Sequence, residues 1–332
     1  MLLSYVIASY NEREYLEQAI ESCLQQSVEE SEIIIADDGS NDGSIELIRE
    51  YAAKYPDKIR YFVNDRSDAI PGKVIASIRV SNNLKRALSM AKGKYCQLLS
   101  GDDFLYPGSF GRDAVAFLDK HPDHSAYVGG FSMYWPDRPG YVCMPYVPKA
   151  LCWFVAYLHI SVFVFRKSIY DEGRFLERFC DDTGLYYTLA ISGKWKYTQD
   201  VVMGYRQRGG SIMHESDKLE LCIMELMLMQ DVCRDKKMHF QTLARFSDPM
   251  CYVFKHRKML AEPKYVKYLE NCARYPYDIL GENLNYDQLP MLQKCKVRLR
   301  VLLSVIMRGV FKIVLLGIRI CKKLYKILTG EK

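Results

Sequence analysis

Three carboxylate sites punctuate the first half of this 332-residue chain, each where an apolar segment gives way to a turn. The first segment runs into Ser9-Tyr10-Asn11-Glu12, the second into Asp37-Asp38-Gly39-Ser40, and the third into Gly101-Asp102-Asp103; Asp181-Asp182 follows further on. Acidic residues at the loop ends of strands stand where open α/β sheets take their ligands. An ionised aspartate only accepts hydrogen bonds, so Asp37 and Asp38 suit an imide N–H and ribose hydroxyls, with Tyr10 available to stack on a base. Asp102 and Asp103 offer hard oxygen to Mg2+ or Mn2+ bridging two phosphates. Adjacent carboxylates also repel unless a cation is near. The set points to chemistry on a nucleoside diphosphate.

Each site has a local alternative. The run Asp37–Asp42 is ordinary turn composition, Asp102-Asp103 could be a solvated turn, and Asp181-Asp182 suits a helix N-terminus on dipole grounds. Further on, Gly204–His214 reads as a strand and then a glycine loop. There Arg206, Arg208 and Ser211 could reach a diphosphate, and Gly209-Gly210 would allow close approach. His159 lies in an apolar run, as a core group or a wall of an acceptor pocket. Met224, Met227 and Met229 read as helix core.

The elements that must position these residues are legible from periodicity. Leu2–Ala8 and Glu32–Ala36 read as buried strands, Ile59–Val63 and Tyr95–Leu99 as two more. Apolar residues at Tyr15, Leu16, Ala19, Ile20, Cys23 and Leu24 recur at helical spacing, as do Val80, Leu84, Ala87, Leu88 and Ala91. A helix is expected over Ile45–Tyr55, with Asn41 and Asp42 as its caps. Strand and helix alternating with short links imply α/β architecture, a mostly parallel central sheet flanked by helices. Beyond Pro107 helices mix with strands such as Ala126–Phe131 and Ser161–Arg166, and residues 216–293 look mainly helical.

Charge is unevenly divided. Residues 294–332 carry eleven Lys or Arg and one Glu, which leaves the rest of the chain 35 basic and 39 acidic residues. A mildly acidic body with a basic tail argues against nucleic acid as a partner and gives the tail an anionic partner of its own. Eleven cysteines without a CxxC pair match neither zinc spacing nor a disulfide scaffold, and free thiols suit a reducing cytosol. The apolar start lacks the basic flank of a signal peptide and reads as the first strand.

Together, "VIASYNEREYLEQAIESCLQQS", "IIIADDGSNDGS", "LKRALSMAKGKYCQLLSGDDFLYPGSF" and "YRQRGGSI" resemble the family-2 glycosyltransferases of the GT-A fold, over about residues 1–215. The resemblance implies a nucleotide-binding half (1–105) and an acceptor half (106–215); the helical extension (216–293) and the basic amphipathic tail helix (294–332) are read from the residues beyond it. It implies that Ser9, Tyr10, Asn11, Asp37, Asp38 and Asp102 surround the nucleotide, and that Asp103 is the principal metal ligand with Asp102 beside it. Arg206, Arg208, Ser211 and His159 would line the diphosphate and acceptor side. Asp182 falls where the family places its catalytic base. Two departures stand out: relatives often have Glu-Asp where this chain has Asp181-Asp182, and His where it has Arg208. The Gln-x-x-Arg-Trp motif of processive synthases is missing, which favours transfer of a single sugar.

From Lys294 to Lys326 there are ten basic residues and no acid. On a helical wheel Arg308, Lys312, Arg319, Lys322, Lys323 and Lys326 fall in a stripe roughly 100° wide. Spanning a bilayer would cost up to roughly 2.5–3.5 kcal/mol for each of Arg308, Lys312 and Arg319. The apolar residues of 301–320 recover about 0.3–0.6 kcal/mol each, which leaves spanning marginal. Lying in the interface keeps the charges among anionic headgroups; packing on protein is the alternative.

The expectation is therefore a metal-dependent, inverting glycosyltransferase using Mn2+ or Mg2+. It would move one sugar from a nucleotide sugar, a UDP-sugar foremost, to a glycan or lipid-linked acceptor in cell-surface polysaccharide synthesis. It would sit in the cytoplasm, peripheral on the inner face of the membrane through residues 294–328. The rival expectation is an inactive GT-A domain serving as a membrane-associated assembly partner.

Overall fold

A computed structural model describes residues 2–66, 73–135, 141–143, 159–173, 182–208, 217–219, 221–223, 225 and 247–263, with helical positions 291, 294, 295, 298, 302 and 306. The chain divides into two compact units, Met1–Glu215 and Ser216–Lys332.

In the first unit, β1 (Leu3–Ser9), β2 (Ser31–Asp37), β3 (Ile59–Val63) and β4 (Tyr95–Ser100) pair in parallel in the order β3-β2-β1-β4. Helices α1 (Arg13–Leu24), α2 (Ser44–Lys54) and α3 (Lys73–Met90) make the connections. β1, β2 and β4 are near-continuous apolar runs because helices cover both faces of a parallel sheet. Tyr5, Val6, Ile7, Ile34, Ile35, Leu98 and Leu99 form the centre of the core. The N-cap of α2 is Gly43, at φ 94 and without a side-chain cap, rather than Asn41 or Asp42; the Asp42 Oδ1 accepts the Ser44 N–H at 3.0 Å from one residue further out.

Register decides the rest. Ser9 lies beside Asp37, Asp37 beside Val63, and Ala8 beside Ser100, so all four strands end on one edge. The chain runs β1 to β3 in one direction and then returns to the other side of β1 for β4. That reversal makes a topological switch point between β1 and β4, where α/β sheets open a crevice.

Past β4 the sheet is mixed rather than parallel. β8 (Phe163–Arg166) pairs antiparallel with β4, and β6 (His124–Tyr134) antiparallel with β8. β9 (Lys194–Arg206) runs parallel to β6 through shifts in register, and β7 (Tyr141–Cys143) pairs with the far end of β6. The two-residue β5 (Phe104–Leu105) pairs with β9, Phe104 opposite Gly204. Through β5 the turn after β4 is tied to the end of β9. Helices α4 (Phe110–Lys120), α5 (Ser168–Asp171) and α6 (Asp182–Ser192) complete the unit.

At the opposite, N-terminal edge Glu32 is buried in a knot. It accepts from Ser4 Oγ at 2.7 Å, the Lys92 N–H at 2.6 Å and Arg60 at 2.5 Å, while Gly93 N–H donates to Ser4 Oγ. Burial pushes the Glu32 pKa up, but those hydrogen bonds outweigh it and the net displacement is downward.

In the second unit α7 (Ser247–His256) runs into a 3-10 turn at Arg257–Ala261. Among the described residues no helix is long and apolar enough to cross a membrane. Met291, Leu302 and Ile306 are exposed; most of the predicted tail helix, including its basic stripe, lies outside the described residues.

Candidate active site

The residues that follow β1, β2 and β4 meet at the switch-point edge, and each adjacent pair of carboxylates divides its labour. Asp37 turns inward: its Oδ1 accepts the N–H groups of Gly39 (3.0 Å) and Ser40 (2.8 Å), and its Oδ2 accepts the Ser40 hydroxyl. Burial lifts its pKa despite these bonds. Asp38 instead receives only side chains. Arg66 NH1 and Arg79 Nε reach its Oδ2 at 2.9 and 2.8 Å, and Asn83 Nδ2 reaches Oδ1 at 3.1 Å, with Asn64 Nδ2 behind at 3.4 Å. Tyr10 is 40 % exposed, and the Arg66 guanidinium lies 3.8 Å from its ring centroid.

Asn11 has φ 52, and its Oδ1 accepts the Asn41 N–H while its own N–H donates to Ser40 Oγ. It therefore fastens the loop after β1 to the loop after β2. Ser9 is buried, and its carbonyl accepts the Asp38 N–H.

The second pair behaves the same way. Asp103 is fully buried, with Oδ1 accepting the Arg206 N–H at 2.9 Å and Oδ2 3.4 Å from His159 Nε2. His159 caps the 3-10 turn Ile160–Val162, its Nδ1 accepting the Ser161 N–H. That leaves the proton on Nε2, facing Asp103. Burial pushes the His159 pKa down to about 4, so the ring is neutral near pH 7.

Asp102 faces the other way and receives Arg208 Nε at 2.8 Å. The Arg208 NH2 also reaches Glu12 Oε1 at 3.0 Å. Glu12, which the sequence places at the end of the first apolar segment but to which it assigns no role, is a member of the site. Among the described residues its buried Oε2 has no hydrogen-bond partner, and a Cβ on Gly101 would crowd it. Gly101 is therefore required for Glu12 to lie against the β4 turn. Burial, and after it the charge of Asp102, hold the Glu12 carboxyl well above the usual carboxylate range.

The two arginines at the end of β9 differ. Arg206 is 7 % exposed and donates to the Asp102 carbonyl and to Gln18 Oε1, so it clamps β9 to the turn rather than facing a ligand. Arg208 is the cation at the cleft. Asp182 is the first residue of α6. Asp181, Gly209, Gly210 and Ser211 lie outside the described residues.

These elements match known proteins. Residues 4–173 fit the family model described as Glycosyl transferase family 2, about half of the chain. The chain belongs to glycosyl transferase family 2. It is 36 % identical over 122 residues to the uncharacterized Mycobacterium tuberculosis protein Rv1520, covering 36 % of this chain and 32 % of that one. It is 32 % identical over 120 residues to the Bacillus subtilis minor teichoic acid biosynthesis protein GgaB, covering 36 % of this chain and 12 % of GgaB. The match to Rv1520 thus spans about a third of that relative's length. Among solved structures, Staphylococcus aureus TarS 1–349 in complex with UDP-GlcNAc superposes with a TM-score of 0.58 at 15 % identity, over 94 % of this chain and 92 % of that one. The shared fold is the GT-A fold, as the sequence motifs implied.

Members of this fold class commonly use a divalent metal, and the residues present fit one in part. Asp102 and Glu12 already converge on a single positive group, Arg208, and offer the hard oxygen that Mg2+ or Mn2+ prefers. Among the described residues no group of three or more His, Cys, Asp or Glu is arranged to hold a metal alone. A cation here would rely on Asp102, with Glu12 and Asp103 behind it, and on ligands brought by the substrate.

Proposed function

We propose that this family-2 protein transfers one sugar from a UDP-sugar to an acceptor hydroxyl with inversion at the anomeric carbon. The observation that carries the reading is the pairing, across one switch point, of a planar-ring end (Tyr10, Asp38) with a charged end (Asp102, Glu12, Arg208). A nucleoside diphosphate has the same two halves. TarS, which shares the fold, was solved with UDP-GlcNAc, which supports uridine as the base. GgaB, a relative, acts in minor teichoic acid biosynthesis by its name, which supports a glycan or lipid-linked acceptor in cell-surface polymer synthesis.

In this reading Tyr10 stacks on the base, Asp38 accepts from it, and Arg208 meets the diphosphate. Asp182, in the first turn of α6, takes the acceptor proton as the new C–O bond forms and the bond to the diphosphate breaks. A Mn2+ or Mg2+ ion held at Asp102 and Asp103 would supply counter-charge to the departing diphosphate. The neutral His159, whose Nε2 lies 3.4 Å from Asp103 Oδ2, borders the acceptor side.

The test is calorimetric binding of UDP, GDP, dTDP and CDP with and without Mn2+, on the wild type and on Asp102→Ala and Asp103→Ala. Tight binding of UDP alone, strengthened by Mn2+ and lost in Asp102→Ala, supports the reading. No binding of any of the four by folded protein overturns it and leaves the acidic motifs as turns and caps.

We further propose that the tail holds the protein on the cytoplasmic face of the membrane. Positions 291, 295, 302 and 306 (Met, Cys, Leu, Ile) fall on one side of a helix, and Met291, Leu302 and Ile306 are exposed there. With the net +10 of residues 294–332, this suits an anionic lipid surface. Sedimentation with anionic liposomes that is no stronger for the full chain than for a chain ending at Leu292 would sink the idea.

A further inference from the structure

We propose that Arg66 is a built-in occupant of the nucleobase subsite, a competitor that a donor must displace, and so a residue that sets donor affinity. The inference rests on the placement of the nucleoside at Tyr10 and Asp38. It deepens that reading by assigning a role to a side chain that the sequence motifs do not mark.

The guanidinium of Arg66 does what a uracil ring would do at this place. It is planar and lies 3.8 Å from the Tyr10 ring centroid. It presents an N–H to Asp38 Oδ2 at 2.9 Å. Stacking on Tyr10 together with donation to Asp38 is the pair of contacts expected of an imide-bearing base. A base seeking the same face of Tyr10 and the same carboxylate oxygen meets Arg66 first.

Asp38 has little acceptor capacity left. Its Oδ2 takes Arg66 and Arg79, and its Oδ1 takes Asn83 and, more weakly, Asn64. For a ligand N–H to reach this carboxylate, one of the four must leave, and three are braced elsewhere. Asn64 is anchored by its own N–H to the Asp37 carbonyl and accepts from Arg86. Asn83 is buried and bonded to Asn64. Arg79 donates a second bond to the Asp65 carbonyl. Among the described residues Arg66 hydrogen-bonds to Asp38 alone, its side chain is 27 % exposed against 20 % for Arg79, and it lies across Gly39, where a Cβ would come within 2.8 Å of its Cγ. It is the member free to go.

A ligand competing with an internal group binds with an apparent affinity reduced by the fraction of sites that group fills. Removing the competitor then tightens binding, whereas removing a residue that contacts the base loosens it. The sign of one substitution therefore decides the matter.

The experiment measures UDP and inorganic pyrophosphate by calorimetry on the wild type, Arg66→Ala, Arg66→Gln and Arg79→Ala, each checked for folding by its melting curve. We expect Arg66→Ala and Arg66→Gln to bind UDP about three- to tenfold more tightly, the yield of losing one stacked cation and ion pair. Pyrophosphate, which has no base, should bind no more tightly to these variants, and Arg79→Ala should not gain affinity. The gain should shrink as salt is added, because screening weakens the Arg66–Asp38 contact in the wild type. UDP binding by the wild type that is unchanged or weaker in both Arg66 variants overturns the proposal while leaving the donor site standing. An equal gain for pyrophosphate overturns it too, as a general charge effect. No UDP binding by any variant overturns both this inference and the placement of the nucleoside.

Discussion

The two edges of the parallel half-sheet each bury a carboxylate against arginine, yet they differ in what feeds the carboxylate. At the N-terminal edge Glu32 takes a backbone N–H from Lys92 and a hydroxyl that is itself held by Gly93, besides Arg60. At the C-terminal edge Asp38 and Asp102 are fed by side chains alone, Arg66, Arg79, Asn64 and Asn83 on one and Arg208 on the other. A backbone donor cannot leave without unfolding the turn that carries it; a side-chain donor can be exchanged for a ligand. The same rule sorts neighbours within the cleft. Asp37 and Asp103 accept backbone N–H groups and build the loops, while the carboxylates of Asp38 and Asp102 are held by side chains. A carboxylate's donors thus indicate whether it serves the fold or a ligand.

This comparison can be broken by experiment, beginning where the effect should be largest. Asp182→Asn should lower transfer about 10²- to 10⁴-fold, the usual worth of a general base, with UDP affinity and melting temperature unchanged. Equal turnover in the variant would favour the inactive-partner reading if the wild type were also idle, and would remove Asp182 from the mechanism if it were not.

Glu32→Ala should destabilise the fold by about 3 kcal/mol, because Arg60 and the Lys92 N–H lose a buried acceptor. Chemical denaturation measures this, and UDP affinity of the folded protein should not move. Asp102→Asn should do the reverse, weakening UDP about tenfold or more in Mn2+ at nearly constant stability. If Glu32→Ala changed affinity, or Asp102→Asn cost as much stability as Glu32→Ala, the division between the edges would fail.

Acid titration sharpens the same contrast. The folded pKa of His159 is pushed down to about 4, below the roughly 6.5 of an unfolded histidine. Between those values the unfolded chain binds the extra proton, so stability falls as pH drops from about 6.5 toward 4, by up to about 3 kcal/mol. Glu32 is also depressed, so its contribution is complete above the unfolded carboxylate pKa and is lost as pH falls through the folded one. Denaturant midpoints measured against pH should therefore decline in two stages. His159→Asn should flatten the upper stage alone.

The smallest effect concerns Arg206, the last residue of β9, and Arg208, two positions beyond it. Arg208→Ala should weaken pyrophosphate binding a few-fold with little loss of stability. Arg206→Ala should lower the melting temperature, since its guanidinium joins Gln18 to the Asp102 carbonyl.

The sequence by itself determined the α/β frame of the first half, because apolar runs of strand length alternate with helical spacing and each run ends in a turn. It also determined that acids would collect at one edge, since Asp37-Asp38 and Asp102-Asp103 both terminate strands of one parallel set, and its motifs carried the family. It read the sheet as mostly parallel, and the antiparallel strands beyond β4 depend on pairings that periodicity does not encode. Only the tertiary structure decided which member of each acidic pair faces the cleft. That choice turns on distant donors: the Arg206 N–H selects Asp103 for the interior, and Arg66 and Arg79 engage Asp38 from across a loop. Glu12 lies 89 residues before Gly101 in the chain, and no local pattern brings them together. Local sequence sets dihedral preference and burial, whereas the direction of a polar side chain is set by whichever partner the fold delivers to it.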